Sequence, residues 1–254
     1  MLIDTHSHIY SEDFSHDFDD VIQKAYNNNI KKIILPNIDS GTAKHLVDVS
    51  NSYPHLCYPL MGLHPTSVDE DYKQELEAVE YWFDKHNFYG VGEIGIDLYW
   101  SQTFVKQQED AFRFQVRLAK NKSLPIVIHV RNSFSEVYKI VKEEQDGNLR
   151  GIFHCFTGSK KEARKIIDLG FLLGIGGVVT FKNSDLDEVI SNFELSNFVL
   201  ETDSPYLAPE PKRGRRNESS YLVYIAQKVA EIYDVPVEKV AEITTANARN
   251  LFGI

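Results

Sequence analysis

Short apolar runs of strand length alternate eight times with longer segments of helical periodicity, and this alternation confines the chain to parallel β-α architecture. The runs cover residues 1–8, 32–36, 56–63, 88–94, 125–130, 151–156, 171–175 and 197–202. Amphipathic segments at 16–29, 42–52, 72–86, 107–120, 135–144, 160–169 and 186–193 separate them, and two more, 221–233 and 237–250, follow the last run. Pro125-Ile126-Val127-Ile128-His129-Val130 is apolar except for one histidine, the pattern of a parallel strand buried on both faces. Eight such units in 254 residues predict an α/β chain folded as a (β/α)8 TIM barrel. The rival is a doubly wound open sheet. Its dinucleotide-binding form needs a glycine-rich turn after the first strand, where this chain reads His6-Ser7-His8-Ile9-Tyr10. No linker, charge block or low-complexity tract interrupts the pattern, so residues 1–254 are expected to form one domain.

Charge and cysteine content narrow the setting. Lys and Arg number 27 against 37 Asp and Glu, a net charge of −10, which argues against broad electrostatic capture of nucleic acid or an anionic membrane and leaves room only for a local basic site. Two cysteines cannot build a disulfide framework, and Met1-Leu2-Ile3-Asp4-Thr5-His6 lacks the basic start and apolar centre of a signal peptide. No apolar stretch reaches the roughly 18 residues a membrane span needs. A cytoplasmic chain without a membrane partner is expected. The oddity is the nine histidines, several of them inside apolar runs where an imidazole is costly without a partner.

Chemistry in a barrel sits at the C-terminal ends of the strands, and metal-ligating residues stand at those ends here. The first run ends in His6-x-His8, the fourth in Gly92-Glu93-Ile94-Gly95, the fifth in His129-Val130-Arg131, the sixth in His154-Cys155 and the eighth in Glu201-Thr202-Asp203. Side chains two apart on a strand face the same way, so His6 and His8 can share one ion. Any one of these residues alone has an ordinary structural explanation; five at the same end of five strands do not. His6, His8, Glu93, His129, His154 and Asp203 exceed one tetrahedral shell and suit two ions, with the two oxygens of Glu93 divided between them. His64, in Gly62-Leu63-His64-Pro65, is expected to serve substrate phosphate or proton transfer. Asp4 and Glu201 share strand parity with His6 and Asp203, which predicts a layer beneath the ligands that orients one of them; for Asp4 a purely structural carboxylate at the barrel floor is the equal alternative. His16, His45, His55 and His86 read as surface residues, and Cys155 as packing.

These motifs together resemble the TatD-like metal-dependent deoxyribonucleases of the amidohydrolase superfamily. Asp4-Thr5-His6-Ser7-His8, Gly62-Leu63-His64-Pro65, Gly92-Glu93-Ile94-Gly95-Ile96-Asp97, His129-Val130-Arg131, His154-Cys155-Phe156-Thr157-Gly158 and Glu201-Thr202-Asp203-Ser204-Pro205-Tyr206-Leu207 carry the likeness. Arg213-Gly214-Arg215-Arg216-Asn217-Glu218 and Asn247-Ala248-Arg249-Asn250-Leu251-Phe252 extend it from residue 2 to residue 252. The resemblance implies a barrel of the metal-dependent hydrolase type, with His6, His8, Glu93 and Asp203 on one metal and Glu93, His129 and His154 on the other. It implies hydrolysis of DNA phosphodiesters, often from the 3′ end of single strands, with magnesium or manganese, and zinc also seen in such sites. The family usually has Pro where this chain has Ser219 and often Asp where it has Asn132, differences that bear on substrate fit. Amidohydrolase relatives often bridge their metals with a carboxylated lysine, and Glu93 in that place favours the nuclease branch.

The resulting expectation is a hydrolase with a metal-bound water as nucleophile. Asp203 accepts the proton, Glu93 bridges the ions, and His64 assists. Arg131, with Arg213, Arg215 and Arg216 of the loop after the eighth strand, would fork onto phosphate oxygens, while Tyr99 and Trp100 stack an unpaired base. A solvated basic turn and ordinary aromatic packing are the competing explanations for the loop and the pair. The partner is then DNA, as single strands or 3′ ends, bound by a monomer. Two other functions use the same barrel: a dinuclear amidase, lactonase or aminoacyl-ester deacylase, and a non-catalytic protein that retains its metals.

Overall fold

The computed structural model describes residues 1–254. Eight parallel strands alternate with helices: β1 (Leu2–Asp4), α1 (Phe18–Asn27), β2 (Ile30–Leu35), α2 (Ser40–Ser52), β3 (Cys57–Pro59), α3 (Tyr72–Lys85), β4 (Val91–Asp97) and α4 (Val105–Lys122). Then follow β5 (Ile126–Arg131), α5 (Phe134–Glu144), β6 (Gly151–Phe153), α6 (Lys160–Asp168), β7 (Leu172–Ile175), α7 (Leu186–Ile190) and β8 (Phe198–Leu200), with α8 (Leu222–Tyr233) and α9 (Val237–Phe252) at the end. The chain is a (β/α)8 barrel. Its ladders run in order from β1 to β3 and from β4 to β8. Single bridges at Met61–Val91 and Ser7–Ser204, with the Thr5 N–H bonded to the Leu200 carbonyl at 3.0 Å, span the two seams. No helix is long and apolar enough to cross a membrane.

Local sequence explains the elements. Asp39 and Thr42 form a capping box at the start of α2, and Ser159 and Glu162 form another at α6, each satisfying otherwise unpaired helical N–H groups. Helix α4 turns Ala111, Phe112, Gln115, Val116 and Ala119 inward, the spacing of one helical face. A compact apolar layer takes Ile3, Ile34, Tyr58, Val127, Ile152 and Val199 from six strands, and Ala248, Leu251 and Phe252 of α9 cap it. Val127, Ile152 and Val199 each stand two residues before His129, His154 or Glu201, so this layer is the floor beneath the polar mouth.

Strand lengths depart from the sequence expectation in an informative way. The first, sixth and eighth runs are longer than β1, β6 and β8, because the chain leaves the ladder just before His6, His154 and Asp203. Cys155 and Asp203 have φ of 45° and 58°, and Asn132, after β5, has 56°. Non-glycine residues in this left-handed region are costly, and here they cluster where side chains must be aimed across the mouth. Strand β4 shows the opposite error. The sequence expectation ends at Ile94, yet the ladder pairs Gly95, Ile96 and Asp97 with His129, Val130 and Arg131. Gly95 sits at φ 150°, and a Cβ there would lie 2.1 Å from the His129 carbonyl oxygen, so only glycine lets β4 lie this close to β5.

Candidate metal centre

The strand ends bring six ligating side chains together. His6 Nε2 lies 3.2 Å from His8 Nε2 and 3.0 Å from Glu93 Oε2. His8 Nε2 is 3.7 Å from the same Glu93 oxygen, and Asp203 Oδ1 is 3.8 Å from both imidazole nitrogens. On the other side, Glu93 Oε1 is 2.8 Å from His129 Nδ1 and 3.8 Å from His154 Nε2, which is itself 3.6 Å from Asp203 Oδ1. The two Glu93 oxygens thus face different histidine pairs. A cation with bonds of about 2.0–2.2 Å holds its donors roughly 3.0–3.6 Å apart, and these separations fall around that range. Two nitrogen lone pairs and carboxylate oxygens converging without a fixed donor between them are a donor set for a divalent metal.

Burial sets the charge state. Glu93 is 2 % exposed, yet its carboxyl is held well below the usual range: burial pushes it up, and the surrounding imidazoles of His6, His64 and His154 outweigh that. Burial drives His6 well down and His8 down to about 4, so both present lone pairs near neutral pH. Asp203 is pushed up to about 7, first by burial and then by Glu93 and Glu201. Burial lowers His154, but the carboxylates of Glu201, Glu93 and Asp203 raise it to about 10. An excess of negative charge therefore waits for a cation, and a metal would compete with the His154 proton for the same field.

Supporting groups fix the tautomers. Tyr10 donates its hydroxyl proton to the Pro36 carbonyl at 2.6 Å, so its oxygen is free to accept from His8 Nδ1 at 3.0 Å, which leaves His8 Nε2 as the lone pair. Asp97 Oδ2 accepts from His129 Nε2 at 2.9 Å and turns Nδ1 toward Glu93. Glu201 Oε1 stands 2.9 Å from His154 Nδ1 and accepts the Cys155 N–H. Gly174 makes room for that carboxylate, since a Cβ there would lie 2.3 Å from Glu201 Oε2. Asp4 takes the structural one of its two expected roles. Its carboxylate accepts from the Thr202 N–H at 2.9 Å, the Thr202 hydroxyl at 2.6 Å and the His6 N–H at 3.3 Å, so it ties two ligand-bearing segments by their backbones and touches no ligand side chain. Strand β1 ends at Asp4, so its alternation does not extend to His6.

His64 faces the same centre: Nε2 is 3.4 Å from Glu93 Oε1 and 3.3 Å from His129 Nδ1. Its Nδ1 lies 2.6 Å from the Thr66 hydroxyl and 3.2 Å from the Thr66 N–H, and His64 forms a further potential ligand cluster with Glu93 and His129. Farther out, the Arg131 guanidinium stacks 3.8 Å over the Tyr99 ring and 5.2 Å from that of Trp100, and all three are exposed. Arg213 stacks 3.7 Å over Phe181, and Arg215 is exposed. Arg216 is placed differently from its neighbours. It forks onto Asp17 at 2.6 and 2.9 Å and lies over Phe14, so it anchors the loop instead of facing solvent. Ser219 is fully buried with its hydroxyl 3.3 Å from that of Ser7, so this departure from the family pattern bears on packing behind the site. Cys155 is half-buried; His16, His45 and His55 are exposed, and half-buried His86 lies against Trp82.

Sequence reasoning missed Asp97 and Tyr10 as supports. Asp97 shares the alternation of β4 with Gly95, which was the available signal; Tyr10 offered none beyond its place two residues after His8. The model of the TatD related DNase family matches residues 3–253. The chain is 36% identical over 255 residues to a Bacillus subtilis protein named as an uncharacterized metal-dependent hydrolase, YabD, with 100% of both chains covered. It is 28% identical over 259 residues to the 3'-5' ssDNA/RNA exonuclease TatD of Salmonella typhimurium, covering 100% of this chain and 99% of that one. The crystal structure of the Escherichia coli TatD homolog YjjV superposes with a TM-score of 0.93 at 26% identity, covering 100% of this chain and 98% of that one. With the ligand cage and the barrel agreeing with these likenesses, the chain belongs to the family of TatD related DNases and is a metal-dependent hydrolase.

Proposed function

We propose that the chain hydrolyses phosphodiester bonds of DNA, working from the 3′ ends of single strands, with two divalent cations. The observation that carries this reading is the buried cage of four histidines and two carboxylates opening beside the exposed Arg131, Tyr99 and Trp100. His6, His8 and Asp203 would hold one cation, His129 and His154 the other, and Glu93 both. Bound there, magnesium, manganese or zinc supplies an acidified attacking water and offsets charge on the phosphate. Asp203, 14 % exposed in its side chain, would take the proton of the attacking water. His64 Nε2, 3.4 Å from Glu93 Oε1, faces the same point and, when protonated, would serve a phosphate oxygen or the leaving oxygen. Arg131, Arg213 and Arg215 hold flanking phosphates, and Tyr99 and Trp100 stack the terminal base. The net charge of −10 makes this recognition local: metal and loop arginines supply the positive field that the rest of the surface lacks. The name of the Salmonella relative supports the substrate class.

The test strips the protein of metal, restores magnesium, manganese or zinc separately, and follows end-labelled single-stranded DNA beside a panel of carboxylic esters and lactones. Stepwise shortening from the 3′ end that disappears in His129→Ala and Asp203→Ala is expected. Turnover of esters with none of DNA would reassign the substrate, and DNA cleavage that survives both substitutions would expose a contaminant.

A further inference from the structure

Asp97 touches both a metal-ligand candidate and the exposed aromatic pair. Its Oδ2 accepts from His129 Nε2 at 2.9 Å, while its Oδ1 accepts the backbone N–H groups of Tyr99 at 2.9 Å and Trp100 at 3.2 Å. The carboxylate stands on a fixed base: Gln108 accepts the Asp97 N–H at 2.9 Å and donates to the Asp97 carbonyl at 3.2 Å. Arg131, two residues beyond His129 on β5 and paired in register with Asp97, completes the group by stacking on Tyr99. Tyr99 and Trp100 are 54 % and 69 % exposed, so the ring surface that Arg131 does not cover is open to a ligand.

We infer that Asp97 is a positioning residue that couples a cation on His129 to the Tyr99–Trp100 clamp, so that loading the metal centre tightens the platform for an unpaired base. The inference rests on the proposal that His129 holds metal. A cation at Nδ1 excludes the other tautomer and makes the Nε2 proton a stronger donor to Asp97. Asp97 is then locked in place, and its second oxygen holds the two loop amides where Arg131 can stack. Coupling of this kind is reciprocal: a base seated on the clamp tightens the cation at His129 by the same factor.

The chain contains two tryptophans, so Trp82→Phe leaves Trp100 as the reporter. In that background, zinc added to the metal-stripped protein should shield Trp100 from acrylamide quenching, and in the unsubstituted protein it should slow hydrogen exchange at the Tyr99 and Trp100 amides. Asp97→Asn retains one oxygen and can serve the imidazole or the loop but not both; it should weaken zinc about 10- to 100-fold and abolish the Trp100 response at saturating zinc. The inference is overturned if zinc binds and neither quenching nor exchange changes, or if Asp97→Asn keeps the full response. Unchanged zinc affinity and stoichiometry in His129→Ala would overturn the metal assignment beneath it, and the inference with it.

Discussion

Tyr10→Phe isolates the support of one ligand without opening a cavity. The hydroxyl of Tyr10 is buried, donates to the Pro36 carbonyl and accepts from His8 Nδ1. Removing one oxygen leaves two buried polar atoms without a partner, and an orphan of this kind costs about 1–3 kcal/mol. His8 retains slight access to water, so a loss of about 2–4 kcal/mol is expected for the metal-free protein in denaturant titrations. The second effect is on metal. With nothing accepting from Nδ1, the ring is free to place its proton on Nε2, the atom 3.7 Å from Glu93 and 3.8 Å from Asp203. Loss of an orienting partner of this kind typically weakens metal binding about 10- to 100-fold. Calorimetric zinc titrations should show that loss at the stronger-affected site with the total stoichiometry intact. Zinc affinity within threefold of the parent would refute the argument that Tyr10 selects the His8 tautomer.

Other expectations separate scaffold from site. Gly174→Ala drives a methyl into the Glu201 carboxylate, 2.3 Å from its nearest oxygen, and should cost about 1–3 kcal/mol in denaturant titrations while weakening metal. Arg216→Ala should lower stability by at most about 1 kcal/mol with little effect on KM for single-stranded DNA, because its fork goes to Asp17. Arg213→Ala should do the reverse, raising KM several-fold at unchanged stability. Glu144 accepts from Arg113 and Arg117; burial raises its carboxyl, the two guanidiniums outweigh that, and the net shift is downward from 4.5. A depressed acid contributes stability above its unfolded value that is lost as pH falls through the folded one, so denaturation between pH 6 and 3 should steepen below about 4.5, and Glu144→Gln should remove that component.

What could be read in advance follows from the range of the interaction. Each candidate ligand was legible because a histidine or carboxylate stood in an apolar run at a strand end, a local pattern that needs only the β-α repeat to interpret. Asp97 was not, because Gly95-Ile96-Asp97 reads as the start of a loop until β5 is seen to pair with it. The commitment of Arg216 was hidden because its partner lies 199 residues away, where no periodicity connects them. Asp4 shows the limit of parity: alternation assigns a face only while the strand stays in its ladder, and β1 ends at Asp4 itself. The lengths of β6 and β8 were overestimated for a related reason, since apolar composition continues past the point where left-handed Cys155 and Asp203 turn the chain.

The central claim, a dinuclear centre divided by Glu93, is tested most directly by anomalous diffraction from crystals loaded with zinc or manganese. Two peaks roughly 3.5–4 Å apart are expected, one against His6, His8 and Asp203 and the other against His129 and His154, each within bonding distance of a different Glu93 oxygen. Metal bound elsewhere, or no peak within bonding distance of Glu93, would contradict the account.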